Sequence, residues 1–290
     1  DPHWASTDQW GAIVDLLVAD IATAQRDSKA FPFLRNFDPY EGHSWASGIG
    51  LGLHGNNQES SSEAINAWVS LVLWGEIKGD RNLRDLGIYL MTSEIDAINH
   101  YWFDVHGLVL APEYKNMEVS MLFGGMYAHN TWWTDEPRQI KGINLLPITT
   151  ASTYLAQYPD FVKKNVTSLR SETELYNARG LYAKPVDIWQ DIFAKYMALA
   201  NPSVGLSMWN RWGSFELGDT RTYTAHYLQA LNEMGVPDFS VTADTTFYAV
   251  FKKADGRATY LAYNASKQPI QVNFSDGKTM SVAPGRLGKL

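Results

Sequence analysis

Residues 54–75 read HGNNQESSSEAINAWVSLVLWG, and the fold class turns on them. From Ser60 onward the apolar residues Ala64, Ala67, Trp68, Leu71 and Trp74 fall at three- and four-residue steps, the spacing that lines one face of an α-helix. The polar run before them carries two carboxylates, Glu59 and Glu63, four residues apart. If both are helical they share a face. Two readings fit. Ser60 and Glu63 can form a capping box, with Glu63 complementing the helix dipole. Alternatively, the dipole and free backbone N–H groups hold a carboxylate ionised, and one aimed into a cleft acts as a general base on water.

The same period continues outward. Trp10, Ile13, Val14, Leu17, Val18 and Ile21 predict a first amphipathic helix, with Ser6 and Gln9 spaced as a capping box. Leu83, Leu86, Leu90, Ile95, Ile98 and Trp102 predict another over about 80–102, and further helices are expected at about 145–158, 168–182, 187–200 and 219–234. Helices joined by long, motif-bearing loops predict a mainly α fold, paired helices packed into a toroid-like domain with the site where loops converge. After Gly235-Val236-Pro237 the texture changes. TTFYAVFKK, RATYLAYNA, QPIQVNF and MSVAP alternate apolar and polar residues around turn signals at 254–256 and 276–277. A short C-terminal antiparallel β segment over 238–290 is expected, after a helical domain over 1–237. Four short strands with open edges make a poor domain alone, so they are expected to pack on a further element.

Composition narrows the partners. A chain of 290 residues supports one large core, or a large domain with a smaller companion. A net charge of −7 argues against nucleic acid or an anionic membrane and favours a neutral ligand. No apolar run approaches the roughly 20 residues of a membrane span. Without cysteine there is no disulfide, thiolate zinc site or cysteine nucleophile, although an exported location stays open. The seven histidines form no HExxH pair, so neither metal nor cofactor is expected. The opening Asp1-Pro2-His3-Trp4 has no methionine or leader, which predicts a mature form or a piece of something larger.

RNFDPYEGHSW, residues 35–45, gathers Asp38, Tyr40, Glu41, His43 and Trp45 in a long connection. The set suits a sugar, through carboxylate and imidazole hydrogen bonds and an indole face under its C–H groups. Equally, Phe37, Tyr40 and Trp45 can be core anchors while Arg35 pairs with Asp38. HNTWWTDEP, residues 129–137, is similar in kind, but adjacent Trp132 and Trp133 cannot both face one ligand. The 11 Trp, 15 Tyr and 12 Phe fit a carbohydrate binder or an aromatic helical core alike. Three glycosylation sequons, at Asn165, Asn264 and Asn273, read as chance matches.

FDPYEGHSWASG, NNQESSSEAINAW, LWG and GINLLPIT together closely resemble glycoside hydrolase family 81, the endo-acting β-1,3-glucanases. The likeness runs from the first helix to the C-terminal strands. It implies hydrolysis of internal β-1,3 bonds in laminarin, curdlan or fungal cell-wall glucan, with inversion and without metal or cofactor. It also implies a secreted, monomeric enzyme acting outside the cell or in the wall. The family's architecture is an N-terminal β-sandwich, a linking domain and an (α/α)6 toroid carrying the cleft. By resemblance Glu59 falls on the general base and Glu63 on the second required glutamate, while Asp38, His43, Trp45, Asn57 and Gln58 fall on the surrounding substrate-binding motif.

One departure stands out. The family's general acid is an aspartate in a motif like DHHFHYG, upstream of the segment that begins this chain, and no such motif occurs in these 290 residues. Inversion needs two carboxyl groups roughly 6.5–9.5 Å apart across the sugar. Glu59 and Glu63, one turn apart on one segment, do not meet that need. The acid is therefore expected upstream, with Asp38 the fallback. The toroid is expected to lack its N-terminal part, and the β segment to pack on a β-sandwich absent from this chain. The rival readings are a non-catalytic β-glucan-binding module or inactive fragment, and a toroidal carbohydrate enzyme of another linkage specificity.

Overall fold

The period-3.6 stretches become helices where no proline or tight contact intervenes. The computed structural model describes residues 3–46, 53–131, 133–178, 188–211 and 221–290. It divides into two compact units, Asp1–Ser152 with Ser171–Arg179, and Thr153–Arg170 with Gly180–Leu290.

The first unit is organised by a helical hairpin, α2 (Ser61–Lys78) and α3 (Arg81–Ala97). Gly79 turns the chain in the left-handed region at φ 68° and the Asp80 side chain accepts from Leu83 N–H at 3.1 Å, so one helix is closed and the next opened within two residues. α2 buries Ile65, Trp68, Leu71, Val72 and Trp74, while α3 buries Leu90, Glu94 and Ala97. The two helices touch backbone to backbone at Gly87, where an added Cβ would lie 2.9 Å from the Val72 nitrogen. α3 runs on into a π-helical turn, Ile98–Trp102, which buries Trp102 completely.

α1 (Gly11–Ala22) begins later than its spacing suggests: Ser6 donates to His3 O at 2.7 Å in a preceding turn, and Trp10 occupies the N-cap position without a side-chain cap. Its apolar stripe, Trp10, Ile13 and Leu17, is exposed in this chain. The helix expected over 145–158 is instead a 3-10 helix, Thr150–Ala156, because Pro147 has no N–H to give to a helix running through it. α4 (Pro137–Gly142) is a short helix with proline in its first turn and Glu136 capping Arg138 N–H at 3.1 Å. α5 (Pro159–Ala178) covers most of the expected 168–182 helix, of which 179–182 lie outside the described residues. Two small sheets, not foreseen, shape the long loops. β1 (Phe37–Asp38) pairs with β2 (His43–Ser44), and β3 (Asn57–Gln58) pairs with β4 (Met121–Phe123), which pairs with β5 (Met126–Ala128).

In the second unit α6 (Gln190–Ala200) is buried from Asp191 to Leu199 and packs with α7 (Pro202–Asn210) and α8 (Arg221–Met234). α7 was not expected, although Asn201-Pro202 supplies its signal: the Asn201 side chain accepts from Val204 N–H at 3.3 Å and proline opens the first turn. The C-terminal strands are β6 (Val236–Pro237), β7 (Tyr248–Lys252), β8 (Ala258–Tyr263), β9 (Ile270–Asn273), β10 (Thr279–Val282) and β11 (Leu287–Lys289). They form an antiparallel sheet of order β11-β8-β7-β6 and a β9–β10 hairpin. Val250, Tyr260 and Ala262 from the sheet and Val272, Phe274, Met280 and Val282 from the hairpin segment close a small core of their own. Chain and structure therefore agree on a mainly helical body with antiparallel strands at its C-terminal end. Among the described residues no helix is long and apolar enough to cross a membrane.

The hairpin contact reverses an ordinary rule. Glycine to alanine inside a helix stabilises by up to about 1 kcal/mol, but at Gly87 the new methyl meets the α2 backbone. Gly87→Ala is expected to lower stability by about 1–3 kcal/mol, read as a reduced urea midpoint. A raised midpoint would show that the helices do not meet there.

Candidate active site

The start of α2 faces an open cavity of about 430 Å³ in the first unit, lined among others by Trp45, Gln58, Glu59, Glu63, Trp68 and Trp133. Its walls come from the loop stretches that the short strands fix. Trp45 N–H donates to Asn36 O at 2.6 Å and Ala46 N–H to Asn57 O at 2.7 Å, so the β2 and β3 segments run side by side.

Below the cavity lies a fully buried carboxylate, Glu94 of α3. Its Oε2 accepts from Ser44 N–H at 3.0 Å and Trp68 Nε1–H at 2.7 Å, and its Oε1 accepts from Ser44 Oγ at 2.7 Å. Gln58 Nε2 donates to Ser44 Oγ at 2.6 Å and its amide also bonds the Glu94 carboxylate. Burial pushes the Glu94 carboxyl above the ordinary range, and these hydrogen bonds oppose that shift. Sequence reasoning passed over Glu94. The signal was a charge four residues beyond Leu90 on the apolar face of α3, where the period asks for a hydrophobic residue.

Glu59 lies between β3 and α2, not in the helix, so it and Glu63 do not share a helical face. Ser60 takes the left-handed region at φ 50°, ψ 55° and makes no side-chain cap, which overturns the capping-box reading. The helix start is tied down sideways instead. Ser61 N–H and Oγ donate to Asn144 Oδ1 at 3.5 and 3.4 Å, and Ser62 Oγ donates to Leu146 O. Asn144 Nδ2 donates to Val119 O at 2.8 Å, and Thr149 Oγ1 donates to Asn66 Oδ1 at 2.7 Å. Asn144, Leu146 and Thr149 all belong to GINLLPIT, so that motif works as a clamp on α2.

Glu59 is half-buried, and its Oε1 is sealed from solvent without a hydrogen-bond partner among the described residues. Burial first, and the neighbouring Glu63 charge second, push its carboxyl above the ordinary range. Desolvation therefore outweighs the helix dipole that the sequence suggested would hold it ionised. Glu63 is exposed on the first turn of α2 and lines the same cavity.

The other candidates divide. Trp45 and Gln58 line the cavity. His43 is buried beneath, its ring 4.6 Å from that of Trp45 and 5.1 Å from that of Trp102, with Nδ1 2.8 Å from Ser44 O. Burial pushes its imidazole below the usual histidine range. Asn57 pairs with Phe123 in the sheet and is not among the cavity-lining residues. Asp38 closes the β1–β2 turn, its Oδ1 accepting from Tyr40 N–H at 2.9 Å and Glu41 N–H at 3.4 Å, and it too is absent from the lining. Arg35 pairs with Asp20 at 3.1 Å, not with Asp38. Tyr40, 93% exposed, is no core anchor. Trp133, 55% exposed, lines the cavity, and Trp132 lies outside the described residues. Among the described residues no group of three or more His, Cys, Asp or Glu side chains is placed to hold a metal.

Residues 1–224 match the family model for the glycosyl hydrolase family 81 C-terminal domain. The chain belongs to glycosyl hydrolase family 81. It is similar to a protein of Acetivibrio thermocellus named glucan endo-1,3-beta-D-glucosidase, 49% identical over 98% of this chain and 36% of that protein. A protein of the same name from Thermobifida fusca is 39% identical over 99% of this chain and 37% of its own length. A solved structure, a mutant form of glycoside hydrolase family 81 from Clostridium thermocellum, matches with TM-score 0.91 and 46% identity over 100% of this chain and 39% of that one. The chain thus spans a little over a third of these family 81 relatives.

The position of Glu59 carries a pH signature independent of turnover. Its carboxyl is expected to titrate above the ordinary glutamate range, and Glu63→Gln, by removing the like charge, should bring that midpoint down. Carboxyl-carbon NMR titration reads both; a midpoint unmoved by Glu63→Gln would show that the two charges do not interact.

Proposed function

We propose that this chain is the larger part of the catalytic (α/α)6 toroid, over residues 1–237, with the β segment 238–290, of a secreted endo-β-1,3-glucanase acting on cell-wall or storage glucan. The observation that carries the reading is the half-buried, unpartnered Glu59 oxygen in a cavity flanked by two indoles, in a chain whose relatives are named glucan endo-1,3-beta-D-glucosidases. The exposed apolar stripe of α1 fits a toroid whose neighbouring helices would cover it. The open edge strands fit a β-sandwich as their further neighbour.

In this reading Glu59 accepts a proton from water, the water oxygen attacks the anomeric carbon, and the glycosidic C–O bond breaks. The departing oxygen takes its proton from a general acid, and the configuration inverts. A carboxyl raised by burial gives a carboxylate that is a stronger base than one in water. Glu63, in the same cavity, orients the water or a sugar hydroxyl. Trp45 and Trp133 offer apolar faces to pyranose C–H groups. Asp38 suits the acid role poorly, since backbone N–H groups already occupy its oxygen and it stands off the cavity. We place the acid on residues upstream of Asp1.

Glu59→Gln keeps the side-chain shape but cannot take the proton. It is expected to reduce reducing-end release from laminarin by about 10²–10⁴-fold while leaving laminari-oligosaccharide binding intact. The comparison is made in the 290-residue chain and in a form extended upstream. Unchanged hydrolysis would reject Glu59 as the base, and binding without any hydrolysis in either unsubstituted form would favour a non-catalytic module.

A further inference from the structure

The buried carboxylate under the cavity is not needed to hold the helices together chemically; a leucine would fill an apolar hairpin at lower cost. Its contacts point elsewhere. Among the described residues, every side chain that hydrogen-bonds Glu94 belongs to a segment of the cavity wall: Ser44 on β2, Gln58 on β3 and Trp68 on α2. Gln58 is bonded directly to Glu59 along the chain, and on the far side of Glu59 Ser60 is held in the left-handed region.

We infer that Glu94 is the positioning residue of this site, fixing Glu59 through the hydrogen-bonded relay Glu94–Ser44–Gln58 and fixing the cavity wall through the Trp68 indole. This rests on the reading of Glu59 as the reacting carboxylate. The relay has a defined polarity. Gln58 Nε2–H donates to Ser44 Oγ, and the serine proton passes on to Glu94 Oε1. Oε2 receives two N–H groups, neither of which can accept. All the contacts are therefore donors converging on an acceptor-only group. An amide at this position cannot satisfy them. Its oxygen would have to meet the two N–H groups, so its NH2 would face Ser44 Oγ, whose hydroxyl would have to turn away from it to accept, and the Gln58 NH2, where donor would oppose donor. Gln58 would let go, and Glu59 would lose one of its two restraints.

The test compares Glu94→Gln and Ser44→Ala with the unsubstituted protein, in whichever of the two forms releases reducing ends from laminarin. Both variants are expected to lower kcat by about 10–100-fold, since misplacement of a reacting group by about 1 Å costs on the order of 10²-fold, with KM little changed. Because both act through one relay, the double variant should be about as impaired as Glu94→Gln alone. Ser44→Ala leaves the Trp68 contact and the direct Gln58–Glu94 bond in place and so tests the serine arm of the relay even where Glu94→Gln fails to fold. A lowered Tm with unchanged kcat per folded molecule would make Glu94 merely structural. A raised KM with unchanged kcat, or strictly multiplicative losses in the double variant, would equally overturn the proposal. If neither unsubstituted form releases ends, the functional reading fails and takes this one with it.

Discussion

The burial of one carboxylate constrains everything around the cavity. Desolvating an ionised side chain costs several kcal/mol even after relaxation, and the cost is met only where hydrogen-bond donors surround it. Around Glu94 those donors are drawn from three segments far apart in sequence: residue 44, residue 58 and residue 68, all converging on residue 94. None of the three can shift without leaving charge unsatisfied. A hydrophobic contact would tolerate sliding; this network does not, because its geometry is directional and its acceptor has no other partner to turn to.

The start of α2 is constrained in the complementary way. Helices ordinarily finish their first turn with a side-chain cap, and this one does not. Its serines are spent on the GINLLPIT segment, through Asn144 Oδ1 and the Leu146 carbonyl, so the end is fixed to a neighbouring loop in place of itself. Ser60 in the left-handed region then costs about 1–3 kcal/mol of backbone strain. A capping serine in the extended region would carry the preceding residue along the helix entry; the left-handed turn sends the chain from Glu59 into the helix by a different path. The strain is tolerated because both flanks are anchored, Gln58 to the buried network and Ser61 to Asn144. Held between those two anchors, the strained turn leaves the Glu59 carboxylate half out of water.

How much of this was legible follows from which interactions are local. The α2–α3 hairpin and the helices at 190–200 and 221–234 follow the apolar period closely, because burial of one face is written into the spacing itself. The C-terminal strands were legible for the same reason, at period two. The strands of two or three residues around the cavity were not, since so short a segment has no period; backbone pairing between distant loops creates them. Pro147 stands inside the apolar period of 145–158, and its missing N–H stops the helix that the period alone predicts. The capping box misled because Ser-x-x-Glu is a local signal and the Asn144 contact that replaced it lies 83 residues away. For the site, the resemblance names Glu59, Glu63, Trp45 and Gln58, all of which line one cavity, together with Asp38, His43 and Asn57, which do not. Glu94 is marked in the sequence as a charge in an apolar stripe, but its donors come from residues 44, 58 and 68, which no local period brings to it.

The contrast between Glu59 and Glu94 shows what burial does to chemistry. Both carboxyls are raised by desolvation. At Glu94 several donors oppose that shift and occupy its oxygens, which makes it an anchor for the segments they come from. At Glu59 no donor does so at Oε1, and the neighbouring Glu63 charge adds to the shift. The same physical cost thus falls on one group whose oxygens are met by donors and on another whose Oε1 meets none among the described residues. In the relay we infer, the first holds the second in place, and the two are joined through Ser44 and the Gln58 amide.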